Sequence, residues 1–156
     1  MDLRDWYKIK EEIYYQDGSW RDIYVFETTQ EDWSTWIDLV NQNYSVQFYN
    51  GLTQQTEIGV DKQAVFEYQE RKTERASSAV MKIAQITVNC RSFSVGEIEN
   101  DIDPKEFATA EEHLALMEYL KAVSKRLRKK VFLTAENKPD MIYIIVDNDD
   151  VKLNLD

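Results

Sequence analysis

The chain has 156 residues, of which 43% are hydrophobic, 12% are aromatic and 31% are charged. This composition predicts one globular domain over residues 1–156 and excludes intrinsic disorder, because disordered chains lack aromatic and β-branched residues. Acidic residues number 29 and basic residues 19, so the formal net charge is -10. Such a surface repels nucleic acid and anionic membranes, so we expect no nucleic-acid or membrane partner and consider basic partners instead.

The cysteine content and the N-terminal segment predict where the protein is located. Cys90 is the only cysteine in the chain, so no internal disulfide can form, which is consistent with a reducing compartment. Residues 1–6 contain acids and lack the apolar stretch of a signal peptide. No run approaches the roughly 18 apolar residues of a membrane span. We therefore expect a cytoplasmic protein.

The first half of the chain reads as strands around one helix. Alternating apolar residues predict a strand over 7–15, a hairpin turn at Asp17-Gly18 and a second strand over 20–27. Thr29, as a helix N-cap followed by acids, predicts the start of a helix that ends near Asn43. Helical spacing predicts that this helix has an apolar stripe made of Trp33, Trp36, Ile37 and Val40. A third strand is expected over residues 44–49. Residues 56–68 are expected to form a pair of short strands, broken at Gly59.

The second half of the chain contains the clearest strand pattern, over residues 80–90, with Val80 on its apolar face. A second helix is predicted to open at Asp103-Pro104 or at Thr109, with a buried stripe of leucine and valine. Strands over 131–133 and 141–146 follow, then an acidic C-terminal tail from about 147 that includes a short strand over 151–155. This order predicts an α+β fold with a mainly antiparallel β-sheet and two principal α-helices packed on one face.

One segment carries an unusual row of acids. Side chains of a strand alternate between its faces, so an extended segment puts all four of its acids on one face, opposite Ile98, Asn100 and Ile102. Like charges in one row repel each other, so we expect a compensating cation. A basic partner, a metal ion or neighbouring lysines and arginines could supply it, including the basic end of the second helix. The four acids are Glu97, Glu99, Asp101 and Asp103.

The inventory of reactive residues excludes several classes of enzyme. The four glycines are not clustered, so the chain has neither a phosphate loop nor a dinucleotide-binding fingerprint. One histidine and one cysteine are too few for a zinc site. We expect His113 to be an exposed or half-buried histidine and Cys90 to face the core. The sequence thus predicts no cofactor, no catalytic residue and no specific metal ligand.

Aromatic residues complete the predicted binding surface. Tryptophan and tyrosine are enriched at the energetic centres of protein interfaces. Trp20 and Tyr15 flank the predicted hairpin and are expected to be the exposed aromatic pair. The predicted partner-binding residues are therefore Glu97, Glu99, Asp101, Asp103, Trp20 and Tyr15.

The segments 19–25, Asp32-Trp33 and 97–106 resemble small acidic bacterial single-domain proteins without assigned chemistry, including immunity proteins of toxin systems. The resemblance lies in size, acidity, aromatic content and α+β pattern, so no functional residue is transferred by it. It implies a non-enzymatic module that binds a basic protein, such as an inhibitor of a basic toxin or enzyme.

Two alternatives stay open at this point. The acids could serve a divalent-metal-dependent hydrolase or a metal-binding domain, because carboxylates suit Mg²⁺, Mn²⁺ and Ca²⁺. Alternatively, exposed tryptophan and tyrosine could form the face of a structural, homodimerising module.

Overall fold

A computed structural model describes all residues from 1 to 156. Its helices are α1 (Leu3–Glu12), α2 (Gln30–Asn43), α3 (Lys62–Gln69) and α4 (Ala110–Leu127), with a short 3-10 helix over Pro104–Glu106. Its strands are β1 (Arg21–Phe26), β2 (Ser45–Asn50), β3 (Gln55–Ile58), β4 (Ser78–Ile83), β5 (Ile86–Cys90), β6 (Glu97–Ile102), β7 (Val131–Ala135), β8 (Lys138–Asp147) and β9 (Asp150–Leu153).

All nine strands form one sheet in the order β3-β2-β4-β5-β6-β1-β7-β8-β9. Every neighbouring pair is antiparallel. The predicted α+β class and antiparallel sheet are thereby confirmed. The expectation of two principal helices is not, because α1 and α3 are present in addition to the predicted α2 and α4. None of the helices is long and apolar enough to cross a membrane.

The hydrophobic core lies on one face of the sheet. It forms a single cluster of 38 buried residues, to which all four helices contribute. Strand residues in this cluster come from one side of each strand, as Ile98 and Ile102 of β6 and Ile23 and Val25 of β1 show. We call the opposite surface the outer face. It carries the alternate residues of each strand, including Tyr49, Val80, Glu99, Tyr24 and Ile145.

The two predicted helices owe their positions to caps and apolar stripes. Thr29 accepts a hydrogen bond from the Asp32 backbone N–H, and the Asp32 carboxylate accepts one from the Thr29 N–H, so α2 begins with a complete capping box. Both helices bury the stripes that the sequence predicted: Trp33, Trp36, Ile37 and Val40 in α2, and Leu116, Leu120, Val123 and Leu127 in α4.

The strand predicted over residues 7–15 is wrong, because most of this segment is helix α1. Asp2 caps the helix by accepting a hydrogen bond from the Arg4 backbone N–H. Trp6, Ile9 and Ile13 are buried, and their spacing of three and four residues fits one helical face. Tyr7, which the strand pattern counted as apolar, is 62% exposed.

Two other segments also differ from expectation. Residues 56–68 contain β3 and then α3, which Asp61 caps by accepting a hydrogen bond from the Gln63 N–H, instead of two short strands. Residues 80–90 form the hairpin of β4 and β5, not one strand, and the chain turns at Ala84 with a positive φ of 53°. The turn places Val80 on the outer face. The expected acidic tail from 147 forms strand β9, which pairs with β8.

A buried polar network connects the sheet to both long helices. The Tyr119 hydroxyl of α4 donates a hydrogen bond to Asn100 Oδ1 of β6 at 2.5 Å. The same hydroxyl accepts one from Trp36 Nε1 of α2 at 3.1 Å. Tyr119 and Asn100 are both buried, so each polar group depends on the others for its partner.

We expect Tyr119→Phe to destabilise the fold by about 1–3 kcal/mol, because it removes the hydroxyl that is bonded to the buried Asn100 Oδ1 and Trp36 Nε1. Urea denaturation followed by circular dichroism measures this free energy. Tyr49→Phe is the matched control, since Tyr49 is 43% exposed, and a surface change of this kind stays within about 0.5 kcal/mol. Equal effects of the two substitutions would contradict the role given to the network.

Candidate functional site

The acidic row lies near the middle of the sheet, on strand β6 between β5 and β1. Glu97, Glu99 and Asp101 are half-buried on the outer face, while Ile98, Asn100 and Ile102 between them are buried. The predicted alternation is therefore present. Because a central strand has neighbours on both sides, adjoining strands decide what surrounds each carboxylate.

Strand β1 places another carboxylate and two aromatic rings beside the row. The direct pairs across β1 and β6 are Asp22 with Asp101, Tyr24 with Glu99, and Phe26 with Glu97. Side chains in such pairs share a face, with Cβ atoms about 4.5–5.5 Å apart. The outer face thus brings together acids from two segments that are distant in the chain.

Asp101 is the one acid of the row with a cationic partner. It accepts a hydrogen bond from Arg91 Nε at 2.7 Å and another from Asn89 Nδ2 at 2.9 Å. The Arg91 guanidinium also lies over the Trp20 ring, 5.3 Å from its centroid. The structure therefore joins the predicted residue Trp20 to the acids through Arg91.

The basic end of the second helix, which was one of the possible sources of a cation, does not neutralise the row. Helix α4 packs on the core side of the sheet, and its Lys125 forms an ion pair with Asp149 after β8. Asp103, the last predicted acid, accepts a hydrogen bond from the Lys105 backbone N–H at 3.0 Å and so caps the 3-10 helix. Its carboxylate has a structural role at the end of β6.

Glu97 and Glu99 form no ion pair within the chain. Burial and, after it, the neighbouring carboxylates of Asp22, Glu97 and Asp101 together raise the pKa of Glu99 to about 7. Burial also raises the pKa of Asp22, although hydrogen bonds from the Asn137 N–H and the Tyr24 hydroxyl favour its ionised form. Glu97 and Glu99 therefore have no compensating cation, and Glu99 is only partly ionised near pH 7.

An open groove of about 460 Å³ lies over this part of the outer face. Four carboxylates and a single guanidinium line it together with an indole ring, so its walls are strongly acidic. These residues are Asp22, Glu99, Asp101, Glu136, Arg91 and Trp20. A larger open cavity of about 560 Å³ lies between α3 and the segment before β6, but its lining has one acid and one base and favours no class of ligand.

A group of aromatic rings, the aromatic stack of Tyr24, Phe26 and Phe132, adjoins the acids. The rings of Tyr24 and Phe26 are stacked with centroids 5.1 Å apart, and Phe132 of β7 lies 5.5 Å from Phe26. Tyr24 is buried, whereas Phe26 and Phe132 are half-buried. Phe26 and Phe132 were not among the predicted binding residues, although the alternation of Asp22, Tyr24 and Phe26 indicates that these three share a face.

Tyr15 lies apart from the acidic row. Its ring covers the guanidinium of Arg21 at 4.2 Å, and its hydroxyl forms a hydrogen bond with the Tyr143 hydroxyl at 2.6 Å. Arg21 is fully buried and pairs with Ile102 and Ala135 on the core side of the sheet. Tyr15 and Trp20 are both half-buried, and the structure separates this predicted pair.

The two reactive side chains noted in the sequence are both in the core. His113 is 2% exposed, not at the surface as expected, and is hydrogen-bonded to the Tyr14 hydroxyl at 2.7 Å. Burial lowers the pKa of His113 to about 4, so it is neutral near pH 7. Cys90 faces the core as expected, and burial raises the pKa of its thiol. Neither group adjoins the acidic groove.

No protein family, curated protein or solved structure significantly matches this chain. The function must therefore be inferred from the geometry of the outer face.

Metal binding has little geometric support. No group of three or more histidine, cysteine, aspartate and glutamate side chains is arranged to hold a metal ion. The Asp101 carboxylate is bonded to Arg91, and the Asp103 carboxylate is bonded to the Lys105 backbone N–H. The carboxylates of the row therefore do not converge on one point.

We expect millimolar Mg²⁺, Mn²⁺ or Ca²⁺ to change the melting temperature by less than about 1 °C, because only a ligand that binds the folded state stabilises it. Differential scanning fluorimetry with and without a chelator measures this shift. A saturable increase that is lost in Glu97→Gln/Glu99→Gln would restore the metal-binding alternative.

Glu99 makes stability depend on pH. An unfolded glutamate has a pKa of about 4.3, whereas the pKa of Glu99 in the folded chain is about 7. Between these values the folded state binds more protons than the unfolded state, so this group makes the free energy of unfolding fall as pH rises. Above pH 7 the Glu99 carboxylate is ionised in both states, and the whole destabilisation by its buried charge is present.

We therefore expect Glu99→Gln to raise the melting temperature above pH 7, relative to wild type, and to leave it nearly unchanged at about pH 4. Thermal melts across this range test the difference. Glu74→Gln, an exposed acid without hydrogen bond or ion pair, is the control and should give no pH-dependent gain. A Glu99→Gln effect of equal size at both ends of the range would show that charge repulsion is not its cause.

Proposed function

We propose that this chain is a non-enzymatic protein-binding module that holds a basic partner on the outer face of its sheet. One observation carries the proposal. Glu97 and Glu99 have no cation within the chain, and they lie beside the aromatic stack on a sheet face that contributes nothing to the hydrophobic core.

Charge and shape both support a basic protein as the occupant. The chain has a net charge of -10, and four carboxylates line the groove against one arginine. Complementary charge accelerates the encounter of two proteins and disfavours acidic competitors. The half-buried Phe26 and Phe132 supply apolar area that a partner can cover, and aromatic residues are enriched in interfaces for this reason.

Within this class, we propose an immunity-type inhibitor of a basic toxin or enzyme. An inhibitor needs a complementary surface and no catalytic group, which agrees with the burial of His113 and Cys90. The single buried thiol also supports the cytoplasm as its place of action. The homodimerising alternative has less support, because Trp6, Trp33 and Trp36 are in the core and only Tyr7 and Tyr49 among the tyrosines are exposed.

The proposal is tested by affinity capture from a lysate of the source organism with three baits. The wild-type chain is compared with Glu97→Gln/Glu99→Gln and with a control, Glu11→Gln/Glu74→Gln. The control removes two exposed acids that form no ion pair and lie outside the sheet. Asp101 and Asp103 are left unchanged because they hold Arg91 and the 3-10 helix.

We expect wild type and control to capture one basic protein in equimolar amount. The Glu97→Gln/Glu99→Gln variant should bind it about 10-fold or more weakly, because it removes the uncompensated charges. Binding should also weaken with rising salt. Equal, salt-insensitive capture by all three baits would contradict the proposed surface, and an acidic captured protein would contradict the proposed partner.

A further inference from the structure

On the outer face, one arginine already lies between a carboxylate and an aromatic ring. Arg91 bonds the Asp101 carboxylate through Nε at 2.7 Å while its guanidinium lies 5.3 Å from the centroid of the Trp20 ring. A planar guanidinium can bond a carboxylate at its edge and stack on an aromatic ring with its face. The compact ammonium group of lysine cannot do both in this way.

The neighbouring part of the row repeats this arrangement without a cation. Glu97 lies opposite Phe26, and Glu99 lies opposite Tyr24, whose ring stacks on that of Phe26. Carboxylates and aromatic rings are therefore side by side, as they are at Arg91. The difference is that neither Glu97 nor Glu99 forms an ion pair within the chain.

No other strand of the sheet places a free cation next to Glu97 and Glu99. The row of outer-face residues that begins at Glu99 continues through Tyr24, Phe132 and Ile145 to Lys152 of β9. Lys152 is thus four strands from Glu99, which corresponds to about 19 Å at roughly 4.8 Å per strand. On the other side, Arg91 is already bonded to Asp101, and Lys82 of β4 donates a hydrogen bond to the Thr87 hydroxyl.

We propose that an arginine side chain of the basic partner docks at Glu97 and Glu99, with its guanidinium against the half-buried rings of Phe26 and Phe132. This inference rests on the proposed function and specifies the residue type at the centre of the contact. It predicts a preference for arginine over lysine, which charge complementarity alone does not.

The preference can be measured with two synthetic peptides that have equal charge, Gly-Arg-Gly-Arg-Gly and Gly-Lys-Gly-Lys-Gly. Each is titrated into the ¹⁵N-labelled full chain, and backbone amide shifts give both the affinity and the location. We expect the arginine peptide to bind about three- to fivefold more tightly than the lysine peptide, which is the range of an exposed cation–π contact. The shifts should concentrate on β1 and β6.

Two substitutions separate the aromatic from the charged contribution. Phe26→Leu keeps an apolar side chain but removes the ring, so it should bring the two peptides to similar affinities. Tyr49→Leu is the control, because Tyr49 is an exposed aromatic residue of the outer face on β2, away from the acids, and should keep the preference. If Phe26→Leu lowers the melting temperature sharply, Phe132→Leu on β7 makes the same test.

The outcomes distinguish this inference from the proposed function. Equal affinity of wild type for both peptides, with both weakened by Glu97→Gln/Glu99→Gln, would overturn the arginine site and keep the acidic surface for basic partners. Shifts outside β1 and β6, or no binding of either peptide, would count against both proposals.

Discussion

The hydrophobic core occupies one face of the nine-stranded sheet, and alternation along each strand therefore sends neighbouring residues to opposite environments. On β6, Ile98 and Ile102 enter the core while Glu97 and Glu99 face outward. A slip of one residue would bury the carboxylates and expose the isoleucines, which is prohibitively unfavourable. The position of the acidic row is thus fixed as firmly as the core itself.

This constraint explains how the fold tolerates like charges side by side. Asp22 and Asp101 face each other across β1 and β6, and their repulsion opposes the pairing of these strands. From the core side, Asn100 holds β6 to both long helices through Tyr119 and Trp36. From the outer side, Arg91 compensates Asp101 alone. Asp22, Glu97 and Glu99 have no ion pair, and burial together with their mutual repulsion raises the pKa of Glu99 to about 7.

Elements whose pattern fits a single period were predictable from the sequence, and elements whose pattern fits two periods were not. Helix α2 has a capping box and an apolar stripe, so both its start and its face were found. In α1, Ile9 and Ile13 fit a period of two as well as a helical period, and the cap at Asp2 was the deciding feature that was overlooked. The turn of the β4–β5 hairpin has alanine, not glycine, at position 84, where φ is positive. The sequence therefore lacks the usual residue signal for a turn there.

The candidate site was predictable only where it depends on local spacing. Alternation placed Glu97, Glu99 and Asp101 on one face, but whether a strand bearing Phe26 or one bearing lysines would lie next to them is decided by pairing between distant segments. The same limit applies to Tyr15, whose partner Arg21 is on the core side of β1. Strand order converts a solvated row of acids into a half-buried one next to aromatic rings. In this setting electrostatic interactions are stronger than in water, so burial and the neighbouring carboxylates raise the pKa of Glu99 to about 7.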